Sequence, residues 1–416
     1  MSGNRIYLCL AHMSGKEQQF IQEAFDTNWV VPLGPNVNAF EEDLKQFVGG
    51  EKEIVALSAG TAAIHLALIA CGVEAGDEVI VQSFTFCASS HPIKYLGATP
   101  VFVDSEAETW NMDPLLLEEA IKDRITKTGK KPKAIIPVYL YGMPAKIDEI
   151  MAIANHYDIP VIEDAAEGFG SKYDGKVCGT FGKYGVLSFN GNKMITTSGG
   201  GALICPDAEA KKEIMFYATQ AREAYPYYQH EKIGYNYRLS NICAGIGRGQ
   251  MTVAADHVAH HQHVQKLYED LLADVKGIIV HRQPADQRFD GNFWLCTVTL
   301  DKSLKIIGQE NAYAEAITGA VGGAAGVTHG GDSVHTDCEP NPNVEAFRLA
   351  LEKNGIESRP LWKPMHKQPV YKDCPAYLNG VSESLFKVGM CLPSGPCVTD
   401  EDVKYIVGCI KDAIEK

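Results

Sequence analysis

One lysine stands between two hydroxyl-rich segments that also carry glycine. Lys193 lies in SFNGNKMITTSGGGALI, residues 188–204, five residues after a strand-like run that ends at Ser188. A lysine amine becomes a covalent catalyst when it forms a Schiff base with a carbonyl group, and pyridoxal phosphate is the commonest cofactor for that chemistry. The three glycines at 199–201 would let the chain turn sharply away from such a cofactor and re-enter a sheet. Lys193 is therefore the candidate nucleophile.

Pyridoxal phosphate needs three further kinds of group, and the sequence offers each one. A carboxylate must keep the ring nitrogen protonated so that the ring withdraws electrons from the substrate carbon, and Asp164 ends the apolar strand of IPVIEDAAEG. Backbone amides at a helix N-terminus would hold the phosphate, and SAGTAAIH places Gly60 and Thr61 at such a start. Phe86 of SFTFC would stack on the ring, and Ser188 would be a second phosphate ligand.

Each of these residues also has an ordinary structural explanation. A single lysine is usually solvated, and an aspartate at a strand end often belongs to a turn. SAGT also fits a plain helix start, and Phe86 also fits a core position. Their joint order favours a site, because each one follows a predicted strand and ligands bind at the carboxyl ends of such strands.

Strands and helices alternate through the first part of the chain. Residues 55–73 read as strand, loop and Ala/Leu-rich helix, and the order repeats through DEVIVQSFTF, HPIKYLGA, TPVFVD, KAIIPVYLYG, IDEIMAIANHYD and IPVIEDAAEGFGS. This alternation predicts an α/β fold with a mostly parallel central sheet. Polar residues at the carboxyl ends of the strands should therefore converge, in the segments 58–61, 84–87, 164–167 and 188–193.

The pattern after residue 208 indicates helices and then a second domain. KKEIMFYATQAREA precedes a long helical run, residues 243–275, which would bridge to a smaller α/β C-terminal domain. We predict an N-terminal segment at 1–20, a large cofactor-binding domain at 21–260 and a small domain at 261–416. A Gly-rich stretch at 319–343 is predicted to be a long surface loop or insertion in the small domain.

The histidines and cysteines do not follow metal-binding patterns. His257 and His261 of DHVAHHQHVQ have i, i+4 spacing, but a zinc protease would also need its glutamate, so we predict that they lie on a solvated helix face. The twelve cysteines are scattered without a C-x-x-C pair or zinc-ligand spacing. We therefore expect no metal, and mostly reduced core thiols.

Composition argues against several classes of partner. Lys and Arg number 38 against 52 Asp and Glu, a net charge of −14, and no basic run interrupts the acidic balance, so nucleic acid is not expected. The first residues, MSGNRIYLCLAHMSG, contain too short an apolar run for a signal peptide or a membrane span. We expect a globular cytoplasmic protein with no membrane partner.

Six segments together resemble the DegT/DnrJ/EryC1/StrS sugar aminotransferases, a family of fold-type I pyridoxal phosphate enzymes. They are SAGTAAIHLAL, DEVIVQSFTFCAS, GATPVFVD, IEDAAEGFGS, SFNGNKMITTSGGGAL and GYNYRLSNICAGIG, and the resemblance extends over residues 20–260 and 350–400. It implies a large domain with a mostly parallel sheet, a smaller C-terminal domain, and a homodimer with active sites at the subunit interface.

The resemblance also assigns a cofactor site by motif position. Lys193 would carry the Schiff base, and Asn236 of GYNYRLS would reach the phosphate from the partner subunit. The other cofactor residues would be Asp164 at the ring nitrogen, Phe86 on the ring, Gly60, Thr61 and Ser188 at the phosphate, and Glu167, where the family frequently has glutamine or histidine.

The resemblance further implies a reaction. Lys193 favours amine transfer, since some relatives are sugar dehydratases with histidine at this position. Glu167, together with SFNGNK and ESRPLWKPMH, is similar to the branch that acts on UDP-4-keto-6-deoxy-N-acetylglucosamine. The implied activity is transfer of an amino group from glutamate to the C4 keto group of that sugar, in two half-reactions. Lys193 would move protons as general base and general acid.

Two segments near the chain ends are similar to family segments that close over the nucleotide-sugar. They are TNWVVPLGPNVNAFE and ESRPLWKPMH. Trp29 and Trp362 would pack on sugar or apolar faces, whereas Arg359, Lys363 and His366 would meet diphosphate or carboxylate oxygens. The alternatives are core positions for the tryptophans and a structural ion pair for Arg359.

Several other functions could also use an α/β sheet with a glycine-rich turn. A nicotinamide-dependent oxidoreductase would need G-x-G-x-x-G after the first strand, but SAGTAA does not fit and GIGRGQ at 245–250 lies in a helical pattern. A C3 aminotransferase, another nucleotide carrier and a non-catalytic pyridoxal phosphate-binding regulator stay open, because fold alone does not establish function.

Overall fold

Helices and strands alternate through most of the chain. The computed structural model describes residues 5–312 and 338–415, so most of the Gly-rich stretch predicted at 319–343 lies outside the described residues. The α-helices are α1 (Glu17–Asp26), α2 (Pro35–Phe47), α3 (Gly60–Ala70), α4 (His91–Tyr95), α5 (Pro114–Thr128), α6 (Ile147–His156), α7 (Ala208–Ala218), α8 (Asn241–Met251), α9 (Ala254–Leu271), α10 (Pro342–Lys353), α11 (Val381–Val388) and α12 (Asp400–Ala413).

The strands belong to a central sheet, a small antiparallel sheet and a short three-stranded sheet. They are β1 (Glu53–Leu57), β2 (Glu78–Gln82), β3 (Thr99–Val103), β4 (Ala134–Ile136), β5 (Ile162–Asp164), β6 (Lys172–Tyr173), β7 (Lys176–Val177), β8 (Tyr184–Ser188), β9 (Gly201–Cys205), β10 (Ile278–Val280), β11 (Phe289–Asp290), β12 (Cys296–Leu300), β13 (Arg359–Pro360), β14 (Ala376–Tyr377) and β15 (Gly389–Leu392).

The central sheet consists of two four-stranded parts that meet between β4 and β5. Their strand orders are β1-β9-β8-β5 and β14-β3-β2-β4, and single parallel bridges, Ile135–Val161 and Val138–Asp164, connect them. β9 runs antiparallel to β1 and β8, whereas the other neighbouring strands pair in parallel. The prediction of a mostly parallel sheet is confirmed, and the antiparallel β9 follows the segment that carries Lys193.

Apolar residues cover both faces of the central sheet. Along β1, Ile54 and Ala56 belong to one cluster of buried residues, and Val55 and Leu57 belong to a second. Successive side chains of a strand point to opposite faces, so the continuous apolar run of β1 is what a strand covered on both sides requires. The sheet is thus a rigid platform whose carboxyl edge can hold a site.

A third buried cluster surrounds the small antiparallel sheet. It draws on residues between Val264 and Ala413 and packs around the strand order β10-β12-β15-β13. Helix α9 contributes Ala254 to the core of the central sheet and Val264 to this third cluster. The domain boundary at residue 260 stays a prediction, because α9 runs through it and belongs to both cores.

The long helix expected at 243–275 is interrupted, so that prediction is wrong in detail. Helix α8 ends at Met251 and α9 begins at Ala254. Thr252 N and Val253 N donate to Gly249 O and Gln250 O, three residues back, and the Thr252 hydroxyl also donates to Gly249 O. These shorter bonds satisfy the last carbonyl groups of α8 and end the helix.

The solvated face expected for His257 and His261 is also wrong. Their side chains are only 4% and 0% exposed, because this face of α9 packs inward. His257 Nδ1 lies 3.0 Å from Met194 O, and its Nε2 lies 3.1 Å from His12 Nδ1. Burial lowers the pKa of His261 to about 3, so its imidazole is neutral and can occupy a core position.

Neither a membrane-spanning helix nor a cluster of metal-binding side chains is found among the described residues. None of the described helices is both long and apolar enough to cross a bilayer. Nor does this part of the chain bring together three or more histidine, cysteine, aspartate or glutamate side chains that could hold a metal ion.

Candidate active site

A cavity of about 420 Å³ opens at the carboxyl edge of the central sheet. Four segments expected to converge there, around residues 58–61, 84–87, 164–167 and 188–193, all contribute to its wall. All seven site residues predicted within these segments line the cavity. The lining includes Ser58, Gly60, Thr61, Phe86, Asp164, Glu167, Ser188 and Lys193, with Trp294 and Trp362 from the C-terminal part of the chain.

Lys193 lies in a turn beyond β8, and its amine points into the cavity. Lys193 N donates to Asn190 O at 3.0 Å, which fixes the turn. The side chain is 12% exposed, and its Nζ lies 3.3 Å from Glu167 Oε1. The same Nζ stands 4.1 Å from the centroid of the Trp294 ring. A lysine held this way is not a solvated surface residue, and its amine can reach a ligand in the cavity.

Asp164 ends β5 at the floor of the cavity. Its carboxylate accepts hydrogen bonds from Ser89 Oγ at 2.6 Å and from Ala166 N at 3.1 Å. Ser89 is itself within 2.7 Å of Thr85 Oγ1. Burial raises the pKa of Asp164, and the bond from Ser89 acts in the opposite direction. A buried carboxyl group with one fixed orientation suits a protonated ring nitrogen.

Glu167 lies three residues beyond Asp164 and is 4% exposed. Besides the contact with Lys193, its Oε2 accepts a hydrogen bond from Tyr141 N at 2.7 Å. Burial raises the pKa of Glu167 to about 7, and the nearby Lys193 opposes that shift. The sequence did not reveal the part played by Tyr141, since its amide carries no side-chain signature.

The helix start at Gly60 forms a cradle for an anion. Helix α3 begins there without a capping bond from a described side chain, and Gly60 and Thr61 of its first turn line the cavity. Ser188 lies against Gly60, since a Cβ at Gly60 would be 3.2 Å from Ser188 Cβ. Unpaired amides at a helix N-terminus, together with the hydroxyls of Thr61 and Ser188, are suited to a phosphate group.

The glycines at 199–201 act differently from the prediction. The residue with left-handed backbone in this turn is Ser198, with φ 73°, and the three glycines do not share that conformation. Gly201 instead permits a close approach, because a Cβ there would lie 2.4 Å from Gly60 N. The glycine is therefore needed where β9 passes behind the anion cradle.

Three aromatic side chains, Phe86, Trp294 and Trp362, also line the cavity. Phe86 is 53% exposed within the cavity mouth, and its ring centroid lies 5.3 Å from that of Trp362. The rings of Trp294 and Trp362 are 6.4 Å apart. Trp294 was not foreseen from the sequence, because it lies a hundred residues beyond Lys193 in a stretch without a recognisable motif. Phe86 and Trp362 were predicted at this site and do line it.

The remaining predicted residues lie outside this cavity. Asn236 is exposed and pairs with Thr219 in a single backbone bridge. Trp29 is 40% exposed in the loop after α1. Arg359 forms an ion pair with Glu357 at 2.9 Å, as the structural alternative supposed, and His366 Nδ1 lies 2.7 Å from Ser83 Oγ. Lys363 lines a smaller neighbouring cavity that shares Phe86 and Trp362 with the first.

These groups fit pyridoxal phosphate by the chemistry of their donors and acceptors. The cavity offers an amine for a Schiff base, a buried carboxyl group for a ring nitrogen, an aromatic face, and an anion cradle at a helix start. Because all four line one cavity, a single bound molecule of this kind could engage them together.

Comparisons with known proteins agree with this arrangement. The sequence model of the DegT/DnrJ/EryC1/StrS aminotransferase family matches residues 12–320 and 333–411. EpsN of Bacillus subtilis (strain 168) is 45% identical over 97% of this chain and 94% of its own. GDP-perosamine synthase of Escherichia coli O157:H7 is 33% identical over 96% of each chain. A DegT DnrJ EryC1 StrS aminotransferase from Brucella abortus has a crystal structure that matches with TM-score 0.81 at 28% identity, covering 97% of this chain and 96% of that chain.

Proposed function

Because the chain belongs to the DegT/DnrJ/EryC1/StrS aminotransferase family, we propose that it transfers an amino group from glutamate to the C4 keto group of UDP-4-keto-6-deoxy-N-acetylglucosamine. The enzyme is a nucleotide-sugar aminotransferase, and its cofactor is pyridoxal phosphate. The observation that carries the proposal is the convergence of Lys193, Asp164 and the cradle at Gly60 in one cavity.

The cofactor site follows from this geometry. Lys193 would hold the cofactor covalently, Asp164 would face its ring nitrogen, and Phe86 would cover its ring. Gly60, Thr61 and Ser188 would hold its phosphate. When bound, pyridoxal phosphate withdraws electrons from the carbon that bears the amino group. Lys193 Nζ would then act as a general base that takes the proton from that carbon. It would next act as a general acid that returns the proton to the neighbouring atom of the bound cofactor.

Support for the substrate comes from the mouth of the cavity and from the sequence around it. Trp362 belongs to ESRPLWKPMH and stands at the mouth, where a sugar ring would pack on it. Glu167, SFNGNK and ESRPLWKPMH resemble the branch that aminates the UDP-linked 4-keto sugar. A GDP-linked sugar is the main competitor, since a relative that matches over 96% of this chain is named GDP-perosamine synthase.

The proposal includes a homodimer with shared sites. Large apolar side chains around the loop after α1 are exposed, namely Phe25, Trp29, Val30, Val31 and Leu33. Exposed apolar patches of this kind are typical of protein–protein interfaces. Asn236 is exposed and does not line the cavity of its own subunit, which is consistent with a residue that serves the partner's phosphate. We further place the enzyme in the cytoplasm, where nucleotide-sugars are made.

An absorbance titration tests the function directly. Glutamate is added to the purified holoenzyme until the band of the lysine-bound cofactor disappears, and UDP-4-keto-6-deoxy-N-acetylglucosamine is then added. Return of the band supports the substrate, and NMR of the product tells C4 from C3. If the band returns only with a GDP-linked sugar, the nucleotide carrier is GDP and not UDP. A band that glutamate removes and no keto-sugar restores contradicts the sugar substrate, and an absent band in fresh holoenzyme contradicts the role of Lys193.

A further inference from the structure

Glu167 is a buried carboxyl group in direct contact with the reactive amine, and the mechanism above leaves it without a task. It is 4% exposed, and its Oε1 lies 3.3 Å from Lys193 Nζ. A buried carboxylate is costly unless hydrogen bonds or an opposite charge compensate it. Here the Lys193 amine and the Tyr141 amide both contact the Glu167 carboxyl group and supply that compensation.

Tyr141 holds Glu167 in place through an unusual backbone conformation. Tyr141 has φ 53° and ψ 17°, the left-handed region that bulky residues seldom adopt, and its side chain is buried. In this conformation its amide donates to Glu167 Oε2 at 2.7 Å, while its hydroxyl accepts from Trp362 N at 2.9 Å. One oxygen of Glu167 is thus anchored by the backbone, and the other is left for Lys193.

Lys193 needs such a partner during each half-reaction. The amine removes a proton from carbon only when it is neutral, so a protonated Lys193 must first lose one proton. The face of the Trp294 ring, 4.1 Å from Nζ, attracts the ammonium form and cannot accept that proton. Glu167 Oε1 can accept it, since it is the oxygen atom in hydrogen-bond contact with Nζ.

We propose that Glu167, anchored by Tyr141, is a positioning residue that receives the proton of the Lys193 ammonium and so keeps the amine ready to act as a base. The inference rests on the proposed function. One N–H bond of Lys193 breaks and one O–H bond of Glu167 forms, so the charged pair becomes a neutral pair. The reverse transfer restores both charges.

The groups around Glu167 are consistent with this exchange. Those that face it are Lys193, Asp164, the Tyr141 hydroxyl and the Cys391 thiol. Burial raises the pKa of Tyr141 and of Cys391, so both stay protonated and neutral near neutral pH. Burial also raises the pKa of Glu167 to about 7, which suits a group that both takes up and releases a proton. Asp164 is the other titrating carboxyl group, so the experiment must distinguish its titration from that of Glu167.

The test compares Glu167→Gln with wild-type holoenzyme in the glutamate half-reaction, followed by stopped-flow absorbance across pH. Glutamine keeps an oxygen toward Lys193 but cannot take its proton. The wild-type rate should fall about tenfold for each pH unit below about 7, as Glu167 becomes protonated. In Glu167→Gln the rate should be lower by at least about tenfold at pH 8 and should lose this acid limb, with the glutamate KM changed less than about threefold.

A second readout does not depend on turnover. The pH at which the absorbance band of the resting holoenzyme changes should move down by about one unit in Glu167→Gln, because a negative charge beside Nζ favours its protonated form. Tyr141→Phe is the matched variant: it keeps the amide bond to Glu167 and loses the hydroxyl contacts with Trp362 N and the Cys391 thiol. It should retain the acid limb and the wild-type band midpoint.

Three results would overturn the inference. The first is an unchanged acid limb in Glu167→Gln, which would assign the limb to Asp164, and the second is a wild-type rate in that variant. The third is loss of the cofactor band in both Glu167→Gln and Glu167→Asp. The last would mean that Glu167 serves only to hold the cofactor. Failure of every keto-sugar in the second half-reaction would refute the proposed substrate and leave these measurements intact, because they use the amino donor alone.

Discussion

Gly201 and Gly60 touch through their backbones behind the anion cradle. A Cβ added at Gly201 would lie 2.4 Å from Gly60 N and 2.5 Å from the carbonyl carbon of Ala59. The contact fixes the start of α3 against the first residue of β9, the strand that resumes after the Lys193 turn. The lysine turn and the phosphate cradle are therefore built on one shared backbone contact.

Gly201→Ala should weaken cofactor binding. The methyl group meets backbone atoms that cannot rotate away, so the start of α3 must shift and its amides must lose their alignment. We expect a cofactor Kd at least about tenfold higher and a free energy of unfolding lower by about 2 kcal/mol. Equilibrium titration of the absorbance band and urea denaturation would measure the two effects.

The neighbouring Gly199→Ala provides the control for that substitution. A Cβ at Gly199 would have nothing within 4 Å, and its backbone is not left-handed. Both the Kd and the unfolding free energy should stay near the wild-type values. Equal damage by the two substitutions would show that the glycine run is needed for flexibility and not for the contact with Gly60.

Asp164→Asn should leave the cofactor bound but nearly inactive. The amide cannot stabilise a positive charge on a ring nitrogen, so kcat should fall by about 100-fold or more while the band of the lysine-bound cofactor persists. Steady-state kinetics at pH 8 would measure the loss. Activity within threefold of wild type would remove Asp164 from the proposed mechanism.

Ser89→Ala should make activity more sensitive to acid. The Ser89 hydroxyl donates to Asp164 at 2.6 Å and opposes the burial that raises the pKa of this carboxyl group. Without that bond the pKa rises further, so the ionised fraction of Asp164 falls sooner as the pH decreases. The ratio of variant to wild-type kcat should be lower at pH 6 than at pH 8, and a ratio independent of pH would contradict this explanation.

The sequence predicted the convergence at the sheet edge because a simple rule governs it. Strands that run in parallel end at the same edge, so apolar runs followed by Ser58, Phe86, Asp164 and Ser188 had to bring these residues together. The Lys193 turn followed from the same rule, since it is the continuation of β8.

The contacts that the sequence could not predict are those made by backbone atoms and by distant loops. The bond from Tyr141 N to Glu167 depends on a left-handed backbone at a tyrosine, which no residue preference indicates. Trp294 reaches Lys193 across a separation of 101 positions, and no periodic pattern encodes that contact. His261 was misplaced because the polarity of histidine suggests a surface, whereas a neutral imidazole can be buried.

The proposed homodimer with shared active sites predicts that mixed dimers regain activity. Lys193→Ala and Asn236→Ala homodimers should each be impaired, the first by loss of the amine and the second by loss of a phosphate ligand. A hybrid dimer contains one site with both native residues if Asn236 serves the partner's cavity. Tagged co-expression followed by tandem purification should therefore yield a hybrid more active than either parent. A hybrid no better than the mean of its parents would place Asn236 outside the shared site.

Buried histidines should lower the free energy of unfolding in mild acid, and His261 should account for a measurable part of that loss. Burial lowers the pKa of His261 from 6.5 to about 3 in the folded protein. As the pH falls below 6.5, the unfolded chain binds a proton there and the folded chain does not, so unfolding becomes more favourable. This contribution is fully present above pH 6.5 and is lost progressively down to about pH 3.

Replacing His261 with leucine should therefore reduce the pH dependence of unfolding. Between pH 7 and pH 5 the wild type should lose about 2 kcal/mol more than His261→Leu, as judged by urea denaturation at each pH. His263→Gln is the control, since this side chain lies on the same helix α9 as His261 but is exposed and pairs with Asp400 of α12. Its pH dependence should match the wild type. Parallel losses in His261→Leu and wild type would mean that His261 is protonated in the folded state, and that the acid sensitivity arises elsewhere.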